Sequence, residues 1–347
     1  MQLDKNTLRL IKKACNGKKH IKLSIGFISN DIKTVKVFGE NSEIQDENYL
    51  YEIASITKTF TASLMAKYIH ENRMSLDDSI QKYFDGLHDD KYYPTLKRLA
   101  THTAGYSMNL PFTWRDFLSV PIKGYPPLQN VDRLKMLLQK NPRKEKDYRW
   151  IYSNYGFTLI GHAVGVISGK GYWDTMDDFL LNELGLKNSF TGICSKRNLH
   201  GFNKKNIDCG NYDKFEKVPE IPAGEGDISA TAEDLLRYAQ INMDEEKPYL
   251  PLCHKRHANV SSMLATVLRR VIGVKEFDMG LGWMLNKDNN NILWHGGDSD
   301  YFSSYLVIDK DNKLAAVVLS NYKMNTLEIG LSVLEYLQNK GTSKNPS

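Results

Sequence analysis

The chain has 347 residues, of which 41% are hydrophobic and 25% charged, enough for one large domain or two lobes around a sizeable core. A formal charge of +5 is small for this length, and the lysines and arginines are scattered; even the densest stretch, NPRKEKDYR, is broken by acids, which argues against a nucleic-acid-binding protein. No run reaches the ~20 apolar residues of a membrane span, and the N-terminus lacks the continuous apolar stretch of a signal peptide, so the expected address is cytoplasmic, without membrane contact, if Met1 is the native start.

In chain order, MQLDKNTLRLIKKACNGKK reads as an amphipathic helix, and IKLSIGFIS and KTVKVFGE alternate about a short NDI, which predicts a hairpin. The next stretch, YEIASITKTFTASLMAKYI (51–69), opens on a serine and a lysine three residues apart. At ~100° per residue Ser55 and Lys58 lie about 60° apart on a helix surface and can touch. Phe60, Leu64, Tyr68 and Ile69, with the small Ala62 and Ala66, describe a helix buried in a core. The plain alternative is an N-cap serine with a solvated first-turn lysine. Two other Ser-x-x-Lys stretches act as controls. Ser79 to Lys82 follows the capping context SLDD, and Ser320 to Lys323 closes the apolar run KLAAVVLSN where a turn is expected; neither leads into a long buried helix.

From 57 to 243 the signal is almost wholly helical, punctuated by Gly and Pro. Within it, WIYSNYGFTLIGHAVGVISG places Tyr152, Ser153 and Asn154 on the entry loop of a helix carrying Phe157, Leu159, Ile160, Val164 and Ile167. Capping by Ser153 or Asn154, with Tyr152 as a packing residue, would account for that trio without chemistry. Cys15, Cys194, Cys209 and Cys253 form no C-x-x-C pair and read as free thiols, with Cys194 and Cys209 near enough in sequence to pair. In CHKRH (253–257) the lysine and arginine between His254 and His257 would repel a cation, so no metal is expected there.

GLGWMLN, NILWHGG, SSYLVIDK and LAAVVLSNY are strand-like, and His295, Gly296 and Gly297 sit at the turn end of one of them. Two glycines let a backbone approach another molecule and leave the following N–H groups free to donate; a glycine bulge beside a satisfied histidine is the plain alternative. TLEIGLSVLEYLQ predicts a last helix and NKGTSKNPS a polar tail. Strands at both ends with helices between them predict an α/β protein of the α+β type. It would be a single domain over 1–338: 1–56 and 244–338 form an antiparallel sheet flanked by terminal helices, 57–243 is an inserted helical lobe, and 339–347 is the tail. A cleft is expected where lobe meets sheet.

Ser55 with Lys58, then Tyr152-Ser153-Asn154, then His295-Gly296-Gly297 on a late strand, in that order and architecture, resemble the serine β-lactamase and penicillin-binding-protein superfamily. The resemblance is closer to its class C β-lactamase-like branch, which also holds D-aminopeptidases, D,D-carboxypeptidases and esterases. LKRLATHTAGY (96–106), LGLKNSFTG and GEGDISATAEDLLRYAQ are similar to further stretches of that family, so the resemblance covers nearly the whole chain. It implies a β-lactamase/transpeptidase-like fold and a serine hydrolase without metal or cofactor. Ser55 would be the nucleophile of an acyl-enzyme, and Lys58 and Tyr152 the unit that takes its proton, either of them being a candidate for the base. Asn154 would orient Lys58 and the acyl amide, and the backbone N–H groups of Ser55 and Asp298 would form the oxyanion hole.

His295 stands where many relatives carry lysine, which implies a pH-dependent charge at that edge. Gly296 stands where β-lactamases and D,D-peptidases have a carboxylate-binding threonine. His295, Gly296 and Gly297 would then shape a substrate site that favours a small amide or ester over a β-lactam, with Tyr301 and Glu225 as further departures that narrow or charge it. A penicillin-binding sensor with negligible turnover, or an acyltransferase, would use the same residues. The partner implied is a small-molecule or short-peptide substrate, in a monomer or weak homo-oligomer.

Overall fold

The computed structural model of the protein describes residues 2–108, 131–192, 198–210, 224–260 and 276–342. The predicted hairpin is β1 (Leu23–Ser29) and β2 (Ile32–Phe38). It turns at Asn30 and Asp31, whose φ values of 51° and 60° suit a two-residue turn matched to strand twist. β3 (Glu43–Ile44) and β4 (Tyr51–Glu52) follow, and the inserted segment adds β5 (Phe190–Thr191) and β6 (Ile228–Ala230). The C-terminal part supplies β7 (Phe277–Met279), β8 (Met284–Asn286), β9 (Ile292–Asp298), β10 (Ser303–Asp309) and β11 (Leu314–Ser320). Among the described residues one antiparallel sheet runs in the order β3-β2-β1-β11-β10-β9-β8-β7. β1 thus joins the two ends of the chain, Gly26 facing Val35 on β2 and Val317 on β11.

The period-2 alternation of the strands explains why helices cover both faces. On β11, Leu314, Ala316 and Val318 join Leu23, Ile25, Phe27 and Tyr305 against the terminal helices Lys5–Cys15 and Thr326–Thr342, which contribute Ile11, Val333 and Leu337. Ala315, Val317 and Leu319 point the other way, into the inserted lobe with Phe60, Met65, Leu235 and Leu236. Each large side chain buried in this way is worth roughly 1.5–3 kcal/mol. A Cβ on Gly26 would lie 3.1 Å from Leu236 Cδ1, so glycine lets the Ala232–Met243 helix settle on the sheet.

The inserted segment is not helical throughout. β6 pairs with β4 on one side and β5 on the other in a small second sheet, Tyr51 opposite Ala230 and Phe190 opposite Ser229. Strands of two and three residues are too short to show a period, which is why they are invisible in the sequence. The last helix continues through Thr342, into residues expected to be tail, and 343–347 lie outside the described residues. Cys194, the cysteine near enough in sequence to pair with Cys209, also lies outside the described residues. Among the described residues no helix is long and apolar enough to cross a membrane.

Candidate active site

Ser55 directly follows β4, on the single turn Ala54–Ile56 that leads into the Thr57–His70 helix. Ala54 has φ 46°, a left-handed conformation that costs an alanine energy, so the chain bends sharply just before the serine. The helix is buried from Thr57 through Ala66. Its hydroxyls are satisfied inside the core, Thr61 Oγ1 donating to the Thr57 carbonyl at 3.2 Å and Ser63 Oγ to that of Thr59 at 2.9 Å.

Lys58 is 0% exposed. Its Nζ donates to Ser55 Oγ at 3.0 Å and to the Glu225 carbonyl at 2.7 Å. It also lies 5.0 Å and 5.8 Å from the ring centres of Tyr152 and Phe157. This excludes the solvated first-turn lysine; the N-cap reading of Ser55 fails too, because the cap position is Ile56 and carries no side-chain bond. Burial lowers Lys58 to about 7, against the Glu225 and Asp227 carboxylates, which act in the opposite direction. The control motifs have the expected plain roles. Ser79 caps the Ile80–Tyr83 turn and accepts the Gln81 N–H at 3.3 Å, with Lys82 paired to Asp78 at 3.0 Å. Ser320 donates to the Tyr322 carbonyl at 2.9 Å.

Tyr152 reaches the site from the loop before the Asn154–Ser168 helix. Ser153 is the cap of that helix, accepting the Gly156 N–H at 3.0 Å, so a capping residue and a site residue stand side by side. Asn154 opens the helix beside them, its N–H bonded to the Met108 carbonyl at 2.7 Å. His102, with φ 59°, holds the loop from behind. Its carbonyl accepts the Ile151 N–H at 3.0 Å, its Nδ1 accepts the Ser153 N–H at 3.1 Å, and its ring lies 4.6 Å from that of Tyr152. An Nδ1 that accepts carries no proton, and burial holds His102 well below the usual histidine range, so it is neutral. Burial pushes the Tyr152 pKa well above the usual phenol range, with the neighbouring Ser55 acting in the opposite direction. At neutral pH it is therefore a hydroxyl and not a phenolate.

His295, Gly296 and Gly297 lie near the end of β9, which pairs regularly with β10 from Ile292 opposite Asp309 to Asp298 opposite Ser303, without a bulge. Gly297 permits close approach to the protein's own backbone: a Cβ there would be 2.3 Å from the Ile53 carbonyl oxygen and 3.0 Å from the Ser55 nitrogen. Ser304 on β10 donates to the same Ile53 carbonyl at 2.7 Å and pins the turn. Gly296 has room, a Cβ lying 3.7 Å from Tyr305 Cδ2. Asp298 ends the strand, exposed, its carboxylate accepting the Ser303 hydroxyl at 2.6 Å.

His295 is 1% exposed, with Nδ1 2.6 Å from the Gly296 carbonyl and its ring 6.2 Å from that of Tyr152. Burial first, then the positive charge of Lys58, lowers it to about 3. The expectation of a pH-dependent charge at this edge is thereby corrected: the ring is walled in and stays neutral through the physiological range. Ser55, Lys58, Tyr152 and Gly297 form one cluster, with His295 next to the tyrosine. Sequence reasoning missed two members. The Glu225 carbonyl has no sequence signal, because any residue could supply it; His102 was visible only as part of LATHTAG.

The family model for β-lactamase matches residues 28–328. A β-lactamase of Pseudomonas fluorescens is 26% identical over 244 residues, 68% of this chain and 60% of that protein. Protein flp of Staphylococcus aureus (strain MW2) is 24% identical over 287 residues, 78% of this chain and 52% of that protein. The chain thus spans 52% to 60% of the length of these relatives. Among solved structures, the octameric penicillin-binding protein homologue from Pyrococcus abyssi superposes with a TM-score of 0.74 at 19% identity, covering 96% of this chain and 77% of that one. A β-lactamase/D-alanine carboxypeptidase from Pseudomonas syringae gives 0.73 at 18% identity, covering 95% and 97%. Those two likenesses show the fold. Because the family match runs unbroken across the segments that carry Ser55, Tyr152 and His295, the chain belongs to the β-lactamase family.

Proposed function

We propose that the protein is a serine hydrolase that cleaves a small amide or ester through an acyl-enzyme on Ser55. The observation that carries this is a fully buried lysine with its Nζ 3.0 Å from the serine oxygen, where burial favours the uncharged amine. Ser55 Oγ attacks the carbonyl carbon while its proton moves to the Lys58 amine. The N–H groups of Ser55 and Asp298 meet the charge that develops on the carbonyl oxygen. As the tetrahedral intermediate collapses, the C–N or C–O bond breaks and the leaving group takes the proton back through the Tyr152 hydroxyl. Water then attacks the acyl ester, its proton passes to the same pair, and the acid and free Ser55 are released. Burial favours the amine at the lysine and the hydroxyl at the tyrosine, so Lys58 is the base and Tyr152 the relay.

Gly296 offers no hydroxyl to a substrate carboxylate, which supports a neutral amide or ester. The names of the relatives, β-lactamase and D-alanine carboxypeptidase, favour a second reading in which the substrate is a β-lactam or a D-alanyl peptide. A panel of chromogenic esters, D- and L-amino acid anilides and a cephalosporin, each followed by intact-protein mass, decides between them. Rapid ester turnover with return to the free mass is the expected result. Efficient cephalosporin hydrolysis would transfer the case to the second reading, a lasting adduct would indicate a sensor, and a protein that no acyl donor ever modifies is not a serine hydrolase.

A further inference from the structure

We infer that a second ligand site, apart from Ser55, binds a small organic anion that carries a phosphate or carboxylate group on a hydroxylated body. The site is a cavity of about 440 Å³ between the short Leu96–Ala100 helix, the chain at Asp147 and Tyr148, and the stretch from Arg256 to Asn259. That volume lies in the usual range for small-molecule pockets and leaves room for more than a bare inorganic anion. None of Ser55, Lys58, Tyr152 or His295 lines it, so binding there does not depend on turnover at Ser55.

The wall is cationic. Lys97, Arg98 and Arg256 line the cavity with a single carboxylate, Asp147. Arg98 is already engaged, its Nε donating to Asp147 at 2.8 Å and its Nη1 to the Tyr92 hydroxyl. Arg256 Nη1 reaches Asp278 Oδ2 at 3.5 Å, the outer limit of a hydrogen bond, and among the described residues its other N–H groups have no partner. Among the same residues the Lys97 ammonium has neither a hydrogen bond nor an ion pair. Two cations short of counter-charge thus share one hollow, the arrangement that a phosphate or carboxylate completes with charge-assisted hydrogen bonds. The charges of CHKRH that deter a metal cation favour an anion for the same reason.

The rest of the wall suits hydroxyl groups. Thr101 and Thr103 are buried in it with their hydroxyls 2.9 Å apart. Thr101 Oγ1 donates to the Lys97 carbonyl at 2.9 Å, so the bond between the two threonines is donated by Thr103, which keeps lone pairs with which to accept. Thr103 and Asp147 therefore offer acceptors to ligand hydroxyls, while Lys97 and Arg256 offer donors to its charged group. His257 Nε2 bonds the Leu252 carbonyl at 2.8 Å, which fixes the ring in the cavity wall as a reporter.

At constant ionic strength, an NMR titration of the whole chain with glucose 6-phosphate should move the His257 ring signals, assigned by their loss in His257→Gln, along a saturating curve. Gluconate is the carboxylate arm: saturation by the phosphate ester, by the carboxylate or by both supports the site and assigns its charged group. Lys97→Met and Arg256→Met should each weaken binding roughly tenfold or more, the scale of one charge-assisted hydrogen bond, and Lys97→Arg should keep it. Asp147→Asn should tighten inorganic phosphate, because it removes the one negative charge in the wall. Unchanged thermal midpoints without probe show that the variants are folded. Shifts that never saturate with either anion, affinities equal in wild type and both methionine variants, or neutral glucose that binds as well as its phosphate overturn the inference.

Discussion

An ammonium taken out of water loses the hydration that keeps it protonated, and at Lys58 this loss outweighs the attraction of two nearby carboxylates. Activity should therefore rise with pH through about 7, as the lysine becomes an amine able to accept the Ser55 proton. Ser55→Ala should abolish labelling by a fluorophosphonate probe, while Ser79→Ala and Ser320→Ala label at the wild-type rate. Uptake of the probe by Ser55→Ala would remove the nucleophile assignment. Lys58→Met and Tyr152→Phe should each cost roughly 10²-fold or more in turnover, and the double variant should be little worse than the poorer single, because both serve one proton transfer. Multiplicative losses would mean two separate roles.

The neighbouring glycines divide in the same residue-level way. At Gly296 an added Cβ makes ordinary contacts, and Gly296→Thr should move the kcat/KM ratio toward a carboxylate-bearing cephalosporin by roughly tenfold, about 1.4 kcal/mol. Gly297→Ala drives a methyl group into the Ile53 carbonyl and should slow Ser55 labelling far more than Gly296→Ala does. Equal labelling rates in the two alanine variants would show that the close approach of β9 does not matter.

At the scale of elements, the site depends on how the Thr57–His70 helix is held. Gly282, just before β8 and with φ 69°, presses on it, and a Cβ there would lie 2.7 Å from the Lys58 carbonyl oxygen and 2.9 Å from Ala62 Cβ. Gly282→Ala should therefore cost roughly 1–3 kcal/mol in denaturant unfolding and slow labelling of Ser55 as the helix shifts. Unchanged stability would mean that the loop gives way and the helix does not. The same scale shows what was readable. The β1–β2 hairpin and the β9, β10 and β11 strands carry enough alternation to be legible, and the buried helix shows itself by large apolar residues at helical spacing with small side chains between them. β5, β6 and β7, at two or three residues each, carry no period to read.

For the whole molecule, the sheet is the device that closes the chain, since β1 from the N-terminal part pairs along its length with β11 from the C-terminal part. A chain ending at Asp300 would lose β10, β11 and the last helix, opening both cores along the centre of the sheet. It should show no cooperative thermal transition in calorimetry; a sharp transition would mean that the inserted lobe folds by itself.

Sequence alone determined the order of the three motifs, the terminal strands and the buried setting of the Ser55 helix, because periodicity and motif spacing are local properties of the chain. Only the tertiary structure decided the charge states. Lys58 is brought near neutrality by burial among residues such as Glu225, 167 positions away, and His295 is kept neutral by walls from separate elements. Desolvation is summed over everything packed around a group, and no local stretch of sequence contains that sum.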